Sequence, residues 1–113
     1  MPASRYQKIE EGIKEIAARF IERESNKTAL ITVTRVVLAE RGRTATIFVS
    51  VLPVDGEDSA INFLKRKRKE LHDLIKHALN IHPIPFLDMM IDTGEKARQT
   101  IDALLKTDAS LNE

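Results

Sequence analysis

Ile9, Ile13, Ile16, Ala17, Phe20 and Ile21 recur at intervals of three and four residues, which predicts a first helix over about residues 4–24 with one apolar face. Ser4 stands just ahead of it as a candidate N-cap. Ser25-Asn26-Lys27 ends the period. Ala29 to Leu38 (ALITVTRVVL) is rich in β-branched residues and predicts a strand. Glu40-Arg41-Gly42-Arg43 reads as a tight turn whose glycine can take a positive φ. Thr44 to Leu52 (TATIFVSVL) then predicts the second strand of a hairpin.

After a loop at Pro53 to Asp58, apolar residues return at helical spacing. Ala60, Ile61, Phe63 and Leu64 come first, then Leu71, Leu74, Ile75, Ala78 and Leu79, so a long helix runs to about Asn80 with Asp58 or Ser59 as its cap. His82-Pro83-Ile84-Pro85 cannot be helical, because proline disfavours helix at the residue before it. Phe86 to Ile91 (FLDMMI) predicts a third strand, an edge where the prolines enter it. Asp92 with Glu95 three residues later resembles a capping box opening a last helix, with Ala97, Ile101, Leu104 and Leu105 as its apolar side. Three strands with helices on one face give an α+β, two-layer domain. The chain has room for one such domain, over residues 1–106, with a short polar tail at 107–113.

One stretch breaks the pattern. Lys65-Arg66-Lys67-Arg68-Lys69 sits inside the long helix, where a continuous stripe would need an apolar residue at 67 or 68. The cations therefore interrupt the buried face. Net charge is only +1 over 113 residues, so the distribution matters more than the total. Five basic and five acidic residues cancel within residues 1–24, in an alternation typical of a solvated face. Residues 62–82 instead carry six cations, the run plus Lys76, against Glu70 and Asp73. A cluster of that kind fits a phosphate-bearing partner. Adjacent cations repel one another, which makes a purely structural role costly. Arg35, Arg41 and Arg43 on the hairpin, and Arg5 at the head of the first helix, are further candidates to extend the surface. An import tag would need an extended segment, which this one is not.

Other chemistries find little foothold. The chain has no cysteine, so disulfides, thiolate catalysis and Cys-based zinc sites are excluded. His72, His77 and His82 are spaced by five, a turn of about 140° on a helix, so they do not converge on a metal and supplement the basic surface when protonated. Isolated glycines build neither a P-loop nor a dinucleotide fingerprint, and no serine sits in a nucleophile elbow. No apolar run approaches the about 20 residues of a membrane span, and the N-terminus lacks a signal-peptide core, so a cytoplasmic protein is expected. Tyr6, Phe20, Phe48, Phe63 and Phe86 read mostly as core, which leaves few aromatics for base stacking and points to contact with a phosphate backbone and its shape.

The ordered set of segments resembles the ribosome-binding factor A family over about residues 5–105. Its carriers are Arg5, Ile31-Thr32-Val33-Thr34-Arg35-Val36, Ala45-Thr46-Ile47-Phe48-Val49-Ser50, Leu71 to Ile81, Pro85, Asp92 and Ile101 with Leu104-Leu105. The resemblance implies a type II K-homology-like fold and a non-enzymatic assembly factor. Its partner would be the immature small ribosomal subunit with its rRNA, and its role late maturation and 5′-end processing of that rRNA. It also implies a monomer with no cofactor, metal, membrane or small-molecule substrate. The family usually carries Ala-x-Gly at a kink in the long helical region, where K-homology domains touch nucleic acid; here Lys67-Arg68-Lys69 occupies those positions. The expected RNA-binding residues are Lys65, Arg66, Lys67, Arg68, Lys69 and Lys76, with Arg5, Arg35, Arg41 and Arg43. Two other readings stand beside this one: a general RNA-binding module not tied to ribosomes, and a protein-interaction module that pairs an exposed sheet edge with a partner strand.

Overall fold

The computed structural model describes residues 4–95 and residue 98. Helix α1 spans Arg5–Glu24 and starts where the sequence places it. The Ser4 hydroxyl accepts the Gln7 N–H at 3.1 Å, and the Gln7 side chain accepts the Ser4 N–H at 2.9 Å. This reciprocal box satisfies two of the donors that a helix start leaves open. The apolar face predicted for α1 is the one it buries, through Ile13, Ala17, Phe20 and Ile21.

Strand β1 (Leu30–Ala39) pairs antiparallel with β2 (Thr44–Leu52), and β3 (Phe86–Ile91) pairs parallel with β2. The sheet order is β1-β2-β3, which puts β2 in the middle and makes the sheet mixed. Along β2 the inward positions alternate strictly, with Ala45, Ile47, Val49 and Val51 buried. In β1 they do not: Val33 and Val36 are both buried although three residues apart. A bulge explains it, because Val33 pairs with Val49 and Arg35 with Phe48, leaving Thr34 as the extra residue. Leu87 and Met89 complete the inward face from β3.

The return from β2 to β3 runs through α2 (Glu57–Arg66) and α3 (Arg68–Ala78). Neither Asp58 nor Ser59 caps α2. A single 3-10 turn at Val54–Gly56 feeds straight into the helix, so the chain is already helical at Glu57 and Gly56 takes the cap position. Glu57 and Asp58 therefore lie in the first turn, where the helix dipole favours carboxylates. Ala60, Leu64, Leu71 and Ile75 form the buried stripe, and they join α1 and the inward sheet face in one core. The Leu52–Pro53 and His82–Pro83 peptides are cis.

At the far end of β3, Asp92 is 4% exposed, and residues 93–95 begin a helical turn. Its Oδ1 accepts the Glu95 N–H at 3.0 Å, as an N-cap does. The apolar side expected for that helix (Ala97, Ile101, Leu104, Leu105) and the tail at 107–113 lie outside the described residues. Among the described residues no helix is long and apolar enough to cross a membrane.

Candidate nucleic-acid interface

The long helical region is not one helix. It breaks at Lys67, which has φ −94° and ψ 4° and belongs to neither α2 nor α3. The cause can be read from the stripe. Four residues on from Leu64 is Arg68, and four before Leu71 is Lys67, so a straight helix would bury two cationic heads in the core. Burying an unpaired charge is prohibitive. The break leaves both residues half-buried instead.

The two heads find different partners. Lys67 Nζ lies 3.5 Å from Glu70 Oε1. The Arg68 guanidinium lies over the Phe86 ring at 4.6 Å, a cation–π contact, and its enclosed Nε has no hydrogen-bond partner among the described residues. Lys65, Arg66 and Lys69 behave otherwise: they are exposed and make no ion pair among the described residues. Three cations thus stand free around the break and two brace it.

The backbone turns at the same place. The Lys67 N–H donates to the carbonyls of Phe63 (3.1 Å) and Leu64 (3.2 Å), and the Leu71 N–H donates to the Lys67 carbonyl at 3.0 Å. Among the described residues no side chain caps α3. Open amides at a helix start favour anions. Three exposed cations, Lys65, Arg66 and Lys69, flank this helix start.

The remaining candidates fall into two groups. The Phe86 amide donates to the Arg43 carbonyl at 2.8 Å, so the ring under Arg68 is tied by its backbone to the hairpin turn. In that turn Glu40, Arg41 and Gly42 all have positive φ, at 53°, 60° and 84°. The sequence asks for that conformation at Gly42 alone; two residues with side chains share it. Arg41 and Arg5 line one cavity beside the turn. Arg68, Arg43, Arg41 and Arg5 are therefore linked along one end of the molecule. Lys76 is exposed near the C-terminal end of α3.

Arg35 belongs elsewhere. Its Nε lies 3.4 Å from Asp92 Oδ2, and its guanidinium covers the Phe48 ring at 4.1 Å. Arg35 pairs with Phe48, while the turn follows at Thr44, a separation of about 13 Å by strand rise. The bulge aims the Thr34 hydroxyl at the same carboxylate, 2.5 Å from Oδ2. Thr34, then the Glu95 amide, with Arg35 adding less, hold the Asp92 carboxyl below its ordinary value of 3.8 against the opposing effect of burial.

Two aromatics expected in the core are not there. Tyr6 is 44% exposed and Phe86 is 56% exposed. Tyr6 lies on the apolar arc of α1, seven residues before the buried Ile13, but in the first turn of the helix, whereas Phe86 alternates with the inward Leu87 on an edge strand. Periodicity alone could have flagged Phe86 but not Tyr6.

A non-glycine residue held at positive φ costs about 1 kcal/mol or more. Arg41→Gly is accordingly expected to stabilise the protein by about 1 kcal/mol in thermal or denaturant unfolding, even as it removes a cation from the basic end.

A mixed three-stranded sheet with helices on one face, entered by a helix and returned to through a broken one, is a K-homology-like α+β domain, and here the break carries the basic ridge. The family model described as "Ribosome-binding factor A" matches residues 5–105, and the chain belongs to that family. Its fold is similar to the crystal structure of ribosome-binding factor A from Thermus thermophilus (TM-score 0.68, 21% identity, covering 76% of this chain and 94% of that one). It is also similar to the solution structure of a Thermotoga maritima protein described as a putative ribosome binding factor A (TM-score 0.67, 21% identity, 79% and 88% coverage). It is similar, too, to a homology model of the T. thermophilus factor as fitted into the cryo-EM map of a 30S complex (TM-score 0.60, 22% identity, 72% and 88% coverage). No curated protein sequence matches the chain.

Proposed function

We propose that this chain is a non-enzymatic assembly factor that binds the small ribosomal subunit by laying the ridge at Lys67 against rRNA backbone. The observation that carries the reading is the break itself, with Lys65, Arg66 and Lys69 exposed around the uncapped start of α3 and without an ion pair among the described residues. Each part has a physical task. The cations neutralise phosphates and release counterions. The start of α3 favours an anion beside them through the helix dipole. Lys67–Glu70 and Arg68–Phe86 hold the break in shape, so that little order has to be gained on binding. Membership of the family, and the fit of a related factor into a 30S complex, support the subunit as the partner. Support of late maturation and 5′-end rRNA processing, as a cytoplasmic monomer, follows in the same reading.

The test is co-sedimentation of the full chain through sucrose gradients with free small subunits, with mature ribosomes and with duplex RNA, over a series of salt concentrations. Preferential association with free, immature small subunits that weakens steeply with salt is the expected result. Salt-indifferent association would favour pairing of a strand edge with a protein instead, and equal binding to duplex RNA would favour a general RNA-binding module.

A further inference from the structure

The cavity beside the hairpin turn holds chemistry that the ridge does not use. It measures about 120 Å³ and is walled by Arg5 and Tyr6 from α1, Arg41 and Gly42 from the turn, and His82 and Pro83 from the loop before β3. Arg5, Arg41 and His82 make no side-chain hydrogen bond or ion pair among the described residues, and no carboxylate lines the cavity. The larger cavity between the end of α1 and α2, about 350 Å³, differs in kind, because Glu24 and Asp55 face it together with Arg66. A phosphate is repelled from that one and attracted to this.

We propose that the Arg5–Tyr6–Arg41–His82 cavity accepts one unstacked nucleotide of single-stranded RNA, its base against the Tyr6 ring and its phosphates on Arg5 and Arg41. The inference rests on the RNA-binding reading above and extends it from backbone contact to capture of a base. Size favours it: the space equals about four water volumes and is below the roughly 300 Å³ of a drug-sized ligand site. One planar base fits; a duplex, which offers no protruding base, does not. The ring is also held ready. A Cβ built on Gly42 would stand 4.0 Å from both Tyr6 Cε1 and Tyr6 Oη, so the edge of the ring borders the glycine of the turn while the residue stays 44% exposed. Aromatic faces paired with free guanidiniums are how single-stranded RNA is gripped without sequence preference. The left-handed conformation of Glu40, Arg41 and Gly42 fixes the turn that brings Arg41 to the cavity.

The experiment measures fluorescence anisotropy of the full chain with a short labelled single-stranded RNA and with the matching blunt duplex. Tyr6→Ser should lower single-strand affinity about tenfold, the effect of one missing base stack, and leave duplex affinity unchanged. Tyr6→Phe keeps the ring and should bind as the parent does. Arg5→Gln with Arg41→Gln should flatten the single-strand salt slope by about 0.7 for each phosphate that is no longer neutralised. Thermal unfolding of each variant confirms the fold, and Arg41→Gly, expected to be the more stable protein, should show the same direction of change in affinity. Single-strand binding unaltered by Tyr6→Ser, or an equal fall on duplex, overturns the nucleotide cavity alone. A parent protein that binds neither RNA overturns the RNA reading beneath it as well.

Discussion

Replacing Lys65, Arg66 and Lys69 together by glutamine is expected to weaken association with small ribosomal subunits about a hundredfold at about 0.15 M salt, with the fold intact. Among the described residues these are the three cations of the run that make no ion pair or ring contact, so each is free to neutralise a phosphate. Three phosphates left unneutralised, at a slope of about 0.9 each, remove about 2.7 from the dependence of log affinity on log salt, which is about two decades at that concentration. Stability should change by no more than about 0.5 kcal/mol, because exposed side chains away from packed neighbours contribute little and their mutual repulsion is relieved. The complementary pair, Lys67→Gln with Arg68→Gln, should divide differently. Those heads are engaged with Glu70 and Phe86, so the loss falls more on unfolding free energy and less on the salt slope. Sedimentation across a salt series together with thermal unfolding reads both quantities. A triple variant that sediments with subunits as the parent does would remove the ridge from the interface.

How far the sequence carries depends on which physics sets each feature. Helix α1, its Ser4 cap, the hairpin and the third strand follow from periodicity and cap chemistry, which are local, and all lie where the pattern puts them. The break in the long helix was also legible, because a stripe that meets Lys67 and Arg68 cannot continue buried. What the sequence hid is relational. The start of α2 moved to Glu57 because a preceding 3-10 turn merges into it, and cap propensity does not register that. The run of five cations looked uniform, yet Glu70 and Phe86 take two of them. Arg35 looked equivalent to Arg41 and Arg43 until a bulge at Thr34 turned it toward a carboxylate 57 residues away in the chain. Such non-local pairings depend on register, and one extra residue in β1 decides them.

That carboxylate carries the largest expected effect on stability. Asp92 ends β3 with a 2.8 Å bond from its amide to the Val49 carbonyl, and its buried side chain joins the bulge of β1 to the turn at 93–95. Asp92→Ala removes the acceptor for the Thr34 hydroxyl and the Glu95 amide together. A cap is worth about 1 kcal/mol and a hydrogen bond to a charged group about 1.5–3 kcal/mol, so a loss of about 3 kcal/mol is expected, or roughly 10–20 °C in Tm for a domain of this size. Asp92→Asn keeps an acceptor for the cap and should lose about half as much. The pH dependence fixes the sign. The carboxyl titrates lower in the folded protein than its ordinary 3.8, so below that value the unfolded chain takes up the proton first. The stability that Asp92 supplies is thus complete above about pH 4–5 and is lost as pH falls through the folded value. The difference in unfolding free energy between the parent and Asp92→Asn should shrink over that acidic window; a difference that stays constant would mean that the charge contributes nothing. Because Arg35 shares this carboxylate, Arg35→Gln should follow the same course, lowering stability while leaving the salt slope of RNA binding unchanged. An Arg35 variant that instead keeps its stability and loses RNA affinity would extend the basic surface to the Asp92 end of the sheet.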